Sequence, residues 1–160
     1  MSDVSVVDPQ QRLRELGIVL PHPPPPVANF APAVRAGNLL FLSGQGPITA
    51  AGERHVGKVG LDVSIADAYQ HARLTAINLL AVLSHELGSL ARVSRIVKVL
   101  GMVNATSGFQ EHPRVLNGCS DLLVAVFGEQ IGRHARSAVG MGSLPAGITV
   151  EIELIAAVRD

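Results

Sequence analysis

At 160 residues the chain fits one ordinary domain and is long enough to bury a substantial core. Its formal charge is zero, from 13 basic and 13 acidic residues with no long run of either sign, so nothing predicts an electrostatic grip on nucleic acid. Hydrophobic residues make up 48% and charged residues only 16%, a surface so poor in charge that it favours a homo-oligomer.

The single cysteine, Cys119, excludes an intrachain disulfide framework, and no Cys-x-x-Cys pair exists to build a zinc site. The opening MSDVSVVDPQQRLREL lacks the basic and apolar regions of a secretory signal, and no uncharged apolar stretch approaches membrane-spanning length. A soluble cytoplasmic protein with no membrane partner is expected. The Asn104-Ala105-Thr106 sequon then carries no meaning.

In chain order, Asp8-Pro9 before QQRLREL predicts an N-capped short helix that ends at Gly17. PHPPPP, residues 21 to 26, favours extended polyproline. Residues 1–26 thus read as a small helix plus a stiff arm, and 27–160 as the main domain. AVRAG, a Gly37-Asn38 turn and LLFLSGQG predict a β-hairpin, with a further short extended piece at Val56 to Val59. Ser64, with Asp67 three residues on, caps the longest helix. Ile65, Ala68, Ala72, Ala76, Leu79, Leu83 and Leu87 paint one of its faces, and Gly88 ends it.

RIVKVLGMV, residues 95 to 103, is apolar on both faces, as suits a strand covered on both sides. A second helix is predicted from Glu111 to Phe127, with Val115, Cys119, Leu122 and Val126 as its buried stripe and Pro113 in its first turn. The order β-β-(β)-α-β-α-β-β implies an α+β sheet with both long helices on one face.

The C-terminal HARSAVGMGSLPAGITVEIELIAAVRD reads as two strands joined by a Leu-Pro-Ala-Gly turn. In the second, Ile148, Val150, Ile152, Leu154, Ala156 and Val158 share one face, while Thr149, Glu151, Glu153, Ile155 and Ala157 share the other. The helices are expected over the apolar face. The glutamates then point the opposite way, together with Arg136 of the preceding strand. As cross-strand neighbours these charges would contribute about 0.2–1 kcal/mol. As a site, a strand-held guanidinium offers a fork for a carboxylate, and a partly desolvated glutamate can activate or orient water. Both readings stand at this level.

Other motifs fail. Gly52-Glu-Arg-His-Val-Gly57-Lys58 fits GxxxxGK, but Val59 replaces the hydroxyl that should reach magnesium. His85-Glu86 lacks the second histidine of a zincin, Ser89 standing there instead. The six histidines are scattered, so no metal is expected. Ser43 has no triad near it in sequence and no GxSxG elbow exists, while Cys119 reads as a buried thiol.

Three stretches, GNLLFLSGQGP (37 to 47), ARSAVGMGSLP (135 to 145) and VEIELIA (150 to 156), make the chain resemble the RidA/YjgF family of reactive-intermediate deaminases, also described as endoribonuclease L-PSP. The resemblance runs from about Val27 to Val158. It implies a chorismate-mutase-like fold, a mixed sheet backed by two helices, in a homotrimer with clefts between subunits. The implied activity is hydrolysis of reactive enamine or imine acids, such as 2-aminoacrylate, to the 2-keto acid and ammonia, without metal or organic cofactor.

Position by position, the resemblance makes Arg136 the carboxylate clamp, Glu151 the residue that positions water, Ser43 and the Gly44 backbone a polar lip, and Asn117 a helix asparagine near the cleft. Phe30 falls where many deaminases have tyrosine, and Ala138 where the best-known members have cysteine, which marks a divergent subgroup. Two alternatives accompany deamination: a non-catalytic binder of 2-keto or other small carboxylic acids, and an endoribonuclease. The neutral charge and 3% aromatic content offer little for the last.

Overall fold

The structure, a computed structural model, describes residues 7–160. Helix α1 (Pro9–Glu15) starts where the Asp8 side chain accepts a hydrogen bond from the Gln10 amide, and Pro9 occupies a first-turn position that needs no donor. Its Leu13 is buried in the common core, so the helix is packed onto the domain. Residues 18–32 follow without helix or strand.

Strands β1 (Ala33–Ala36) and β2 (Leu39–Gln45) form the expected hairpin, with Ala36 opposite Leu39 across Gly37-Asn38. Gly37 has φ 61°, a conformation in which other residues are strained. The piece at Val56 to Val59 makes isolated bridges, Val56 with Ile148 and Val59 with both Val63 and Ala105. Helix α2 (Ile65–Leu87) is capped as predicted: the Ser64 hydroxyl accepts from the Asp67 amide, and Gly88 closes the end at φ 74°.

A short 3₁₀ turn leads into β3 (Val93–Asn104), followed by α3 (His112–Gly132), β4 (Ala135–Met141) and β5 (Val150–Val158). Regular α3 geometry stops at Gly128, where φ 77° and ψ 168° break the helix before one further turn. That break follows Phe127 directly, which accounts for the helix end read from the sequence.

The five strands form one sheet in the order β1-β2-β5-β3-β4, antiparallel except for β3–β4. The parallel pair is joined through α3, the crossover such a pair requires. Strand β5 is central, and its Val150, Ile152, Leu154, Ala156 and Val158 are all buried beneath the helices. Helices α2 and α3 approach closely at Gly118, where a Cβ would overlap the Tyr69 carbonyl. Gly101 on β3 likewise makes room for Leu116.

One expectation is overturned here. The last two strands are consecutive in sequence but do not pair, because β3 lies between them. Arg136 is therefore no cross-strand neighbour of Glu151 or Glu153. Nor do they share a face: Arg136 aligns with Val99 and, across β3, with Leu154 on the helix side, whereas Glu151 aligns with Met102 and Val139 on the open side.

Among the described residues no helix is long and apolar enough to cross a membrane. The open face of the sheet carries Val34, Phe41 and Val139, which are 59%, 41% and 38% exposed, an apolar surface on the side away from α2 and α3.

Candidate functional site

The predicted site residues fall into two groups. The first surrounds Glu151. Opposite β5, strand β2 takes three steps from Leu42 to Gln45 while β5 takes two from Leu154 to Ile152, so a bulge falls at Ser43-Gly44. The bulge brings the Gly44 backbone against Glu151, and a Cβ on Gly44 would overlap the carboxylate itself. A larger residue there would have to push the Glu151 side chain aside.

These residues border a cavity of about 410 Å³, walled by Pro24 to Pro26 of the arm, Phe30, Arg54, Ile148 and Glu151. The proline arm, read from sequence as stiff and extended, thus forms part of a cleft wall. Asn78 of α2 fixes the opposite loop by donating both amide hydrogens, to Gly46 O at 2.9 Å and Ile48 O at 3.0 Å. Ser43 does not line the cavity; its hydroxyl donates to Ala31 O at 2.7 Å and so ties down the segment that carries Phe30.

Glu151 is half-buried, and that burial raises its pKa above the ordinary carboxylate value, with the negative charge of Glu153 adding to the rise. A carboxylate held so, beside a backbone glycine and facing a cavity, is a better proton acceptor than a surface glutamate.

The second group surrounds Arg136, whose guanidinium lies against α3. Nη1 donates to Asn117 Oδ1 at 2.9 Å and to Ser120 Oγ at 3.1 Å, and Nη2 donates to Pro113 O at 3.4 Å. Ser120 in turn meets His134 Nε2 at 2.9 Å, and His134 Nδ1 donates to Gly132 O at 2.7 Å. Burial lowers the His134 pKa, outweighing the Gly132 hydrogen bond that favours its charged form. Ala138 lies two residues beyond Arg136 on the same strand face, over Gly101.

Asn117 and Arg136 are thus in contact, as are Gly44 and Glu151, but within one chain the two groups lie on opposite faces of the sheet. Sequence reasoning did not single out Ser120, His134 or Arg54. The first two had a signal, since Ser120 is one helical turn from Asn117 and His134 is two residues, one strand period, from Arg136. Arg54 had none, because its loop is placed by long-range contacts.

Lys58, the lysine of the GxxxxGK pattern, donates to Asn104 Oδ1 at 2.9 Å and Gly142 O at 2.8 Å, which ties two loops together. Among the described residues no three His, Cys, Asp or Glu side chains converge for a metal ion. Cys119 is fully buried, and burial pushes its thiol up to about 12.

Comparison with known proteins agrees with this architecture. Residues 10–157 match the family described as "YjgF/chorismate mutase-like, putative endoribonuclease". Protein TCP17 of Trypanosoma cruzi is 39% identical over 143 residues, which are 89% of each chain. A crystal structure of an Agrobacterium tumefaciens protein superposes with a TM-score of 0.86 at 42% identity, covering 94% of both chains. One from Shewanella oneidensis gives 0.90 at 32% identity, covering 94% of this chain and 99% of that one. With the family match running over residues 10–157 and a relative 39% identical across most of its length, the chain belongs to the RidA/YjgF family.

Proposed function

We propose that this protein hydrolyses reactive 2-enamine and 2-imino acids to 2-keto acids and ammonia, in clefts between the subunits of a homotrimer. The observation that carries the reading is the half-buried Glu151 carboxylate, of raised pKa, facing a cavity beside the Gly44 backbone. In the reaction the enamine first tautomerises to the imine. Glu151 orients water onto the imine carbon; a C–O bond forms as the C=N π pair goes to nitrogen, the two water protons pass in turn to nitrogen, and ammonia leaves as the C–N bond breaks and the C=O double bond forms. Arg136 holds the substrate carboxylate, so the protein contributes positioning and electrostatics.

Assembly is part of the proposal. Arg136 and Glu151 lie on opposite sides of the sheet, so a cleft using both needs Arg136 from one copy and Glu151 from another. The exposed neighbours Val34 and Phe41 on the open face support such association.

Phe30 at the cavity favours one second reading, a non-catalytic receptor for a 2-keto or other small carboxylic acid, because its ring brings no hydroxyl to a ligand. Endoribonuclease action, named in the family description, finds little support in a chain of zero net charge.

The test incubates the protein with freshly generated 2-aminoacrylate or 2-iminobutyrate and follows keto-acid release. Acceleration by the wild type and its loss in Arg136→Ala is the expected result. Stabilisation by pyruvate without turnover would instead establish the receptor. RNA cleavage that survives removal of contaminating nucleases and vanishes in Arg136→Ala would favour the ribonuclease.

A further inference from the structure

The hydrogen bonds around Arg136 have forced directions. Gly132 O carries no proton, so His134 Nδ1, 2.7 Å away, must donate. The neutral ring then presents a lone pair at Nε2, and burial keeps it neutral. Ser120, 2.9 Å from that lone pair, must donate its only hydroxyl hydrogen. Its oxygen lone pairs are thereby free to accept from Arg136 Nη1 at 3.1 Å. A histidine on the approach to β4 therefore sets the polarity of a serine on α3, and the serine turns its accepting side to the guanidinium.

The accounting of donors is equally constrained. A guanidinium has five N–H groups. Asn117 and Ser120 take the two on Nη1, and Pro113 O takes one on Nη2. The remaining two, one on Nε and one on Nη2, have no partner among the described residues, and Nε with Nη2 is the edge that a carboxylate engages side-on.

We propose that Ser120 and His134 are positioning residues for Arg136: together they lock its Nη1 end and commit its Nε–Nη2 edge to a planar carboxylate. The inference rests on the reading of Arg136 as the carboxylate clamp. The ligand class it selects is an acid of the 2-keto or 2-imino type; the neutral amide of the same acid lacks the second accepting oxygen and the charge.

The experiment measures binding of pyruvate and of pyruvamide to the assembled protein by calorimetry, for wild type, Arg136→Ala, Ser120→Ala, His134→Leu and His134→Gln. Thermal stability is recorded for each. Ser120→Ala loses the charge-assisted hydrogen bond to Arg136 and His134→Leu the bond that orients Ser120; both are expected to bind pyruvate about tenfold more weakly while pyruvamide affinity is unchanged. His134→Gln, whose amide oxygen can still accept from Ser120, should recover most of the loss. If the histidine variant does not fold, Ser120→Ala decides alone.

Wild-type affinity for pyruvate in Ser120→Ala, beside weakened Arg136→Ala, overturns this inference and leaves the clamp intact. Equal weakening of pyruvate and pyruvamide also overturns it, since that marks general disturbance. Absence of pyruvate binding by the wild type, or undiminished binding by Arg136→Ala, overturns the clamp and this inference with it.

Discussion

Arg136 and Glu151 lie on opposite faces of the same sheet, on strands separated by β3, although only fourteen residues of chain lie between them. A site using both must be built from two copies, which gives a direct expectation. Arg136→Ala and Glu151→Gln, each inactive alone, should regain activity when unfolded together and reassembled. Random assortment would restore roughly a quarter of the clefts, those that receive both intact residues. Imino-acid hydrolysis by the mixture checks it, and a mixture no better than either variant would refute the shared cleft.

Glu153 tunes Glu151. In the proposed reaction Glu151 works as a carboxylate, so its raised pKa moves the acidic limb of the pH–rate profile upward from where an ordinary carboxylate would place it. Glu153→Gln removes a negative neighbour, lowers the Glu151 pKa and should move that limb to lower pH. A limb that stays put in Glu153→Gln would mean that burial alone sets it.

The same shift has a consequence for stability. With its pKa raised on folding, Glu151 binds its proton more tightly folded than unfolded, so ionisation costs stability as pH rises through the ordinary carboxylate value towards the folded one. Glu151→Gln should therefore raise the thermal midpoint at neutral pH and leave it unchanged in acid. Its activity should fall by about 10²-fold or more. Melting curves at two pH values, paired with rates, test both statements.

Gly44 is held to its identity by the Glu151 carboxylate rather than by backbone strain. Gly44→Ala forces that side chain aside, and a displacement of about 1 Å at a reacting group can cost on the order of 10²-fold in rate. Turnover should drop while the far-ultraviolet circular dichroism is unchanged. A rate near that of the wild type would show that Glu151 moves without consequence.

Cys119 should be inert. With its thiol pushed up to about 12 and no exposure, it should fail to react with disulfide reagents at mild alkaline pH until the protein is denatured. Its labelling rate then follows opening of the α2–α3 layer. Fast labelling of the native protein would contradict the packing described.

The local patterns were legible because short-range physics writes them. The Asp8 and Ser64 caps, the Gly37-Asn38 hairpin, the α2 stripe and the alternation of β5 each depend on residues within a few positions, and each appears as read. The family motifs added Arg136, Glu151, Gly44 and Asn117 as candidates. Even the contact of Asn117 with Arg136 could be sought once both were named.

What the sequence determined by itself is therefore the kind of each element, the apolar face of β5 and the residues capable of the chemistry. Tertiary structure alone decided that β3 enters between β4 and β5, and this single choice of pairing put Arg136 and Glu151 on opposite faces. It also set the arm along the cleft and turned Ser120 and His134 towards the arginine. The physical reason is that periodicity specifies which face of a strand is apolar but not which strand lies beside it; that depends on the helix crossover and on burial summed over the whole core.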